Sequence, residues 1–286
     1  MEPSFPPSSA TVQVVFGAAS RCGQGRTSND DHYAIVELGR HQATVVTSMP
    51  EDVIPARFDE SGYAMVVADG IGASGNAELA SRKAIGALMH LMLHFGKWNL
   101  RVDTAIAHEI MDRTRRFYRQ VDRALAEEGR LARTPLYTTL TAVFGAGRDV
   151  FFAHVGHSRA YLWRDGELMR LTRDQTIGTT RPTRLAPLVD VNGEARDLRH
   201  ILTDTIGMSG PIGPTIDIER FQLSDNDRVL VCTNGVTDAV DEETIGHVLA
   251  SERSPDEQCR LLVEPAAALA GGDDATALVA HYCIPM

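Results

Sequence analysis

No stretch of this sequence is long and apolar enough to cross a bilayer. The most apolar run, residues 84–95, is too short and carries His90 and His94. The first residues have neither a basic region nor an apolar one, so they do not read as a secretory leader. Basic excess is missing too. The chain has 28 basic and 38 acidic residues and a formal net charge of -10, which makes it a poor non-specific nucleic-acid binder. Cysteine is scarce. Cys22, Cys232, Cys259 and Cys283 form no CxxC pair and no cluster with zinc spacing, so they read as buried free thiols. These absences predict a soluble, cytoplasmic protein with no membrane or nucleic-acid partner. Oligomeric state is not legible.

What remains is ordinary globular composition, 43% hydrophobic and 23% charged. Residues 1–10 are rich in Pro and Ser and read as a disordered tail. From residue 11 to 286 there is no repeat and no break in composition, so a single domain is expected. Strand-like runs occupy residues 11–16, 33–38, 63–68, 138–144, 150–155, 160–163, 228–233 and 275–282. Helical spacing of apolar residues marks 76–95, 104–127, 242–250 and 255–270. Strands outnumber strand–helix–strand units, so the sheets should be mainly antiparallel and the class α+β. Two stretches interrupt the pattern. Residues 39–62 read as a surface excursion between strands. Residues 172–213 have weak periodicity and several arginines (Arg173, Arg181, Arg184, Arg196, Arg199), and a long connection of that kind inside a domain is more often functional than accidental.

Chemistry gathers where apolar strands meet acidic turns. Val66-Val67-Ala68 runs into Asp69-Gly70, Val231-Cys232-Thr233 into Asn234-Gly235, and Gly272-Asp273-Asp274 opens the last strand. Residues 26–31, Arg-Thr-Ser-Asn-Asp-Asp, precede another strand. A carboxylate at a strand end is held rigidly, and glycine beside it lets a backbone carbonyl approach a ligand. Hard divalent cations take such oxygen donors. One Asp-Gly alone is only a turn signal; the ordered set is far more specific.

In that order, the set resembles the metal-dependent protein phosphatases, the PPM or type 2C serine/threonine phosphatases of bacterial type. Residues 26–31 match R-x-x-N-E-D, and residues 69–72 with the following helix match D-G-x-G. Residues 138–141 match the G-T-T strand, with Tyr137 in the glycine place. Residues 155–162 match V-G-D-S-R-A-Y-L, 171–175 match L-T-x-D-H, 232–238 match C-S-D-G-L-T-D, and 271–276 match G-x-D-N-x-T. The resemblance spans residues 15–282. It implies an α-β-β-α sandwich: two stacked antiparallel sheets flanked by pairs of antiparallel helices.

The resemblance also implies an activity: removal of phosphate from phosphoserine and phosphothreonine in proteins. Two Mn2+ or Mg2+ ions activate a bridging water for in-line attack on phosphorus. Residue by residue, it makes Asp69 the bridging carboxylate and gives Gly70 a carbonyl ligand role. Asp273 and Asn234 are metal ligands, Asp31 acts at the metal, Asp30 acts through water, and Arg26 binds the substrate phosphate. His157 and Asp238 fall at the position of a third, weakly bound ion. Partners are a phosphoprotein substrate and a serine/threonine kinase or its targets.

Three departures stand out. Asn234 replaces an Asp and brings no charge. His157 replaces an Asp with an imidazole that titrates near neutrality. Ile71 stands where some relatives have a histidine, and it cannot give a proton to the leaving group. Two rival readings remain open: a pseudophosphatase that binds phosphoproteins, and a hydrolase of small phosphoesters.

Overall fold

The computed structural model describes residues 12–40, 60–72, 75–96, 102–180, 198–208, 210, 212–269 and 272–284. The predicted tail at residues 1–10 lies outside them, as does most of the 39–62 excursion.

The sheets stack face to face. The first has strand order β1 (Gln13–Arg21), β11 (Ala275–Cys283), β10 (Arg228–Cys232), β7 (Arg159–Arg164), β8 (Glu167–Arg170). The second runs β2 (Asp31–Arg40), β3 (Glu60–Ile71), β5 (Leu140–Ala146), β6 (Asp149–Val155), β9 (Asp217–Gln222), with the two-residue β4 (Tyr137–Thr138) paired to the end of β3. Every pairing between these strands is antiparallel.

β3 shows how the sequence builds the layers. Met65 and Val67 join the core between the sheets, with Val143, Phe152, Val229, Val231 and Leu278. Val66 and Ala68 point the other way, under α1 (Asn76–Phe95) and α2 (Thr104–Ala132), against Ala84, Leu88, Tyr118 and Val121. Both faces are covered, so the run is continuously apolar instead of alternating. Lys83 near the start of α1 meets Glu128 near the end of α2 at 2.6 Å, which sets the two helices antiparallel. The first sheet is covered by α4 (Asn234–Ala239), α5 (Glu242–Ala250) and α6 (Pro255–Ala268), through Leu230, Val236, Ile245, Leu262 and Val279. Ser254 and Glu257 form a reciprocal capping box at α6, with Pro255 in the first turn, so the entry to that helix is written locally.

The structure revises several boundaries. α2 continues past the predicted residue 127 to Ala132 and ends on Arg133 in a left-handed conformation. β8 and β9 were not anticipated. β8 is half of a hairpin whose turn residues Asp165 and Gly166 both have positive φ. The 172–213 stretch contains a short α3 (Ile177–Thr180) and a 3-10 turn at Leu198–His200. Arg181, Arg184 and Arg196 lie outside the described residues. Asn234-Gly235, read as a turn, instead starts α4. The cysteines are free, but only Cys232 and Cys259 are buried, whereas Cys283 is exposed. No described helix is long and apolar enough to cross a membrane.

Candidate active site

Strand ends from both sheets meet at one end of the sandwich. Asp31 opens β2 and sits directly across from Asp69 near the end of β3. Both are buried, at 5% and 6% exposure, so neither carboxylate is free to relax into solvent. Burial raises both carboxyls well above the usual range; for Asp69, the neighbouring Asp31 adds to the effect. Asp31 Oδ2 accepts hydrogen bonds from Thr233 (2.7 Å) and Thr276 (2.8 Å), which fastens the second sheet to the first.

The backbone of Asp69 is clamped by Thr138 and Thr139. Its carbonyl accepts from Thr139 N–H (2.9 Å) and the Thr138 hydroxyl (2.7 Å), and its N–H donates to Thr139 Oγ1 (3.0 Å). Gly70 donates its N–H to Asp30 O at 3.1 Å. It lies so close to α1 that a Cβ would fall 2.0 Å from the Ala77 carbonyl oxygen. Only glycine permits that approach.

The opposite wall comes from β10 and β11. Asn234 is the first residue of α4, and its amide donates to Asp238 and Asp273 over 3.4 Å each. A Cβ on Gly235 would lie 2.1 Å from the Asp274 carbonyl oxygen, so α4 packs directly on the start of β11. Arg26 reaches across this wall. It contacts Asp273 Oδ1 at 2.5 Å, Asp274 Oδ2 at 2.9 Å and Asp30 Oδ2 at 3.2 Å. Burial opposes its charge, but Asp273 and Asp274 outweigh it and raise its pKa.

His157 follows β6 and is buried with Nδ1 3.8 Å from Asp69 Oδ2. Burial lowers its pKa to about 4, so it is neutral at physiological pH. Asp238 faces His200 of the 3-10 turn at 3.7 Å. Sequence reasoning had not singled out His200.

Asp274 was also missed as a site residue. Its carboxylate is 2% exposed. Oδ1 accepts from Gly23 N–H (2.7 Å), and Oδ2 from Asp30 N–H (2.7 Å) and Arg26. Both oxygens act as acceptors, which an asparagine amide cannot do. The signal was visible as Asp in the Asn place of the last motif.

Six buried side-chain polar atoms among the described residues have no hydrogen-bond partner, and four belong here: Asp30 Oδ1, Asp31 Oδ1, Asn234 Oδ1 and His157 Nδ1. Stranded buried acceptors are costly, and their concentration in one cleft suits a hard cation. Among the described residues no three His, Cys, Asp or Glu side chains are already gathered as a ready ligand sphere. Two features account for this: Asn234 stands in a carboxylate's place, and Arg26 holds Asp273.

The Protein phosphatase 2C family profile matches residues 47–267, well over half of the chain. The chain is 30% identical over 236 residues to the serine/threonine protein phosphatase PstP of Mycobacterium tuberculosis, covering 80% of this chain and 43% of that protein. It thus spans less than half the length of that relative. It is 27% identical over 217 residues to the serine/threonine phosphatase stp of Listeria welshimeri, covering 75% and 82% of the two chains. A crystal structure of the PstP catalytic domain in complex with two manganese ions superposes with a TM-score of 0.68 at 26% identity, covering 96% of this chain and all of that one. With its fold, its motif order and these matches in agreement, the chain belongs to the protein phosphatase 2C family.

Proposed function

We propose that this protein hydrolyses phosphoserine and phosphothreonine in phosphoproteins, using two Mn2+ or Mg2+ ions. The observation that carries the reading is the convergence of Asp31, Asp69, Asn234 and Asp273 from four separate segments, with unpartnered buried oxygens on Asp31 and Asn234. Asp69, the Gly70 carbonyl, Asp273, Asn234 and Asp31 would hold the ions, with Asp30 acting through water. His157 and Asp238 flank the place of a weaker third ion. When bound, such ions polarise phosphoryl oxygens and lower the pKa of water.

The chain's own groups do the positioning. Thr138 and Thr139 fix the Asp69 backbone, and Thr233 and Thr276 fix the Asp31 carboxylate. Arg26 presents a planar fork suited to two phosphate oxygens, once it releases Asp273. Ile71 has no proton to give, so the leaving serine or threonine oxygen takes its proton from water. A serine/threonine kinase and its targets are the expected partners, in a reducing, cytoplasmic compartment that suits four free cysteines.

The test is manganese-dependent hydrolysis of para-nitrophenyl phosphate and of a phosphothreonine peptide, with Asp69→Ala as control. Turnover of both, lost in the variant, is expected. Tight phosphopeptide binding without turnover of either would overturn the reading in favour of a pseudophosphatase. Turnover of the small ester alone would point to a small-phosphoester hydrolase.

A further inference from the structure

A groove of about 740 Å3 opens beside the site, between the end of α2 and the chain returning at residues 207–208. Arg123, Arg130 and Arg133 line it, with Tyr137, Gly207 and Met208. All three arginines are exposed. Arg130 is held by Glu127 through two hydrogen bonds of 2.8 and 2.6 Å. Arg123 and Arg133 have no ion pair among the described residues. Cations at a helix C-terminus complement its dipole, which accounts for Arg130 and Arg133. Arg123 lies too far back along α2 for that explanation. In a chain of net charge -10, a groove with three arginines and one glutamate is a local reversal of sign.

β4 links the wall of the groove to the site. Thr138 exchanges backbone hydrogen bonds with Ile206 (3.1 and 2.9 Å), beside Gly207 in the groove wall. The same residue donates its hydroxyl to the Asp69 carbonyl. Tyr137, which replaces the glycine of the G-T-T strand, pairs with Ile71, one step beyond Gly70. Tyr137 of the groove wall is paired with Ile71, two residues along β3 from Asp69, and an extended peptide advances about 3.3 Å per residue, so residues a few positions from a phosphoresidue at Asp31 and Asp69 come within reach of the groove.

We propose that the groove is a docking subsite for acidic residues flanking the phosphorylated side chain, with Arg123 and Arg133 selecting for them. The inference rests on the phosphatase reading and names its substrate class. The carboxylates of the site repel an acidic peptide, so acidic flanks are accepted only if cations stand beside the cleft. Tyr137, standing where the G-T-T strand has glycine, adds a side chain to the groove lining.

The test uses phosphothreonine peptides with acidic, neutral or basic residues at two to four positions on either side. The readout is kcat/KM for each peptide divided by that for para-nitrophenyl phosphate on the same sample, so damage to the catalytic centre divides out. Acidic flanks on one side should be favoured about 5- to 10-fold over neutral ones, through KM, and the gap should close in 0.5 M salt. In Arg123→Ser/Arg133→Asn the gap should collapse, whereas Arg253→Ser/Arg260→Ser, an equal loss of charge at exposed positions before and within α6, should keep it. No preference for acidic flanks, or one that survives the double variant, would overturn the proposal. If no substrate turns over, the phosphatase reading fails by itself. Fluorescence anisotropy of labelled acidic and neutral peptides then decides the groove: equal affinities sink it, and an acidic preference lost in the double variant upholds it.

Discussion

The two walls of the cleft are built differently. On the β2–β3 wall, Asp31, Asp69 and Gly70 sit in paired strands, and backbone hydrogen bonds fix where their side chains begin. On the β10–β11 wall, Asn234 and Asp238 belong to a helix of six residues, and Asp273 and Asp274 precede a strand. The first wall keeps the motif residues at its carboxylates and glycine. The second holds two changes of opposite sign: a carboxylate is missing at Asn234, and one is present at Asp274 in an asparagine's place. Charge has in effect moved from the α4 start to the β11 start, where it grips Arg26 and the backbone of residues 23 and 30. Strand pairing tolerates little variation at its ends. A wall set by side chains can redistribute charge while keeping the fold.

The largest effect that probes this contrast is Asp69→Ala. Activity should fall by at least about 10^3-fold, the scale of losing a group aimed at transition-state charge, with unchanged circular dichroism. Residual activity near wild type would mean the β2–β3 wall is not the catalytic one. Next is Asp274→Ala, which strands two backbone N–H groups and takes a partner from Arg26. A loss of about 3 kcal/mol in urea unfolding is expected, where an idle surface carboxylate would cost almost nothing.

Restoring charge on the second wall is a smaller change. Asn234→Asp should tighten Mn2+ binding about tenfold by calorimetric titration, because the number of charged ligands tunes cation affinity. Equal affinity would show that Asp274 already supplies the missing charge.

The smallest effect compares the sheets themselves. His154 on β6 is fully buried against Thr141 and the Arg173 carbonyl, and burial lowers its pKa to about 4. His281 on β11 is likewise lowered to about 4 by burial. For a histidine held neutral in the fold, stability is complete above the unfolded pKa, near 6.5. It declines as pH falls from there towards 4, because the unfolded chain takes up the proton first. Between pH 7 and 5.5, His154 should cost about 1 kcal/mol of unfolding free energy, a slope that His154→Gln removes. His281 is less enclosed and should contribute less.

Much of the site was legible because its residues sit next to strong strand signals. Val66-Val67-Ala68 and Val231-Cys232 are apolar runs that can only be buried strands, so the polar residues after them had to lie at strand ends. β9 was not legible: Asp217–Gln222 pairs only with β6, at the edge of its sheet, and its charged residues hide the alternation. α4 was hidden because Asn-Gly is a strong turn signal locally, and packing of Gly235 on the Asp274 carbonyl overrides it.

By itself, then, the sequence determined the family, the layered class and most of the candidate carboxylates, Asp274 excepted, because motif order and hydrophobic period are local properties of the chain. Only the tertiary structure decided what those groups do to one another. Arg26 lies nearly 250 residues from Asp273 and Asp274, and Thr233 over 200 from Asp31. Whether such pairs meet depends on strand register and on how two sheets stack, which no window of sequence contains. The same holds for the arginine groove, whose wall is made when residues 207–208 return against the end of α2.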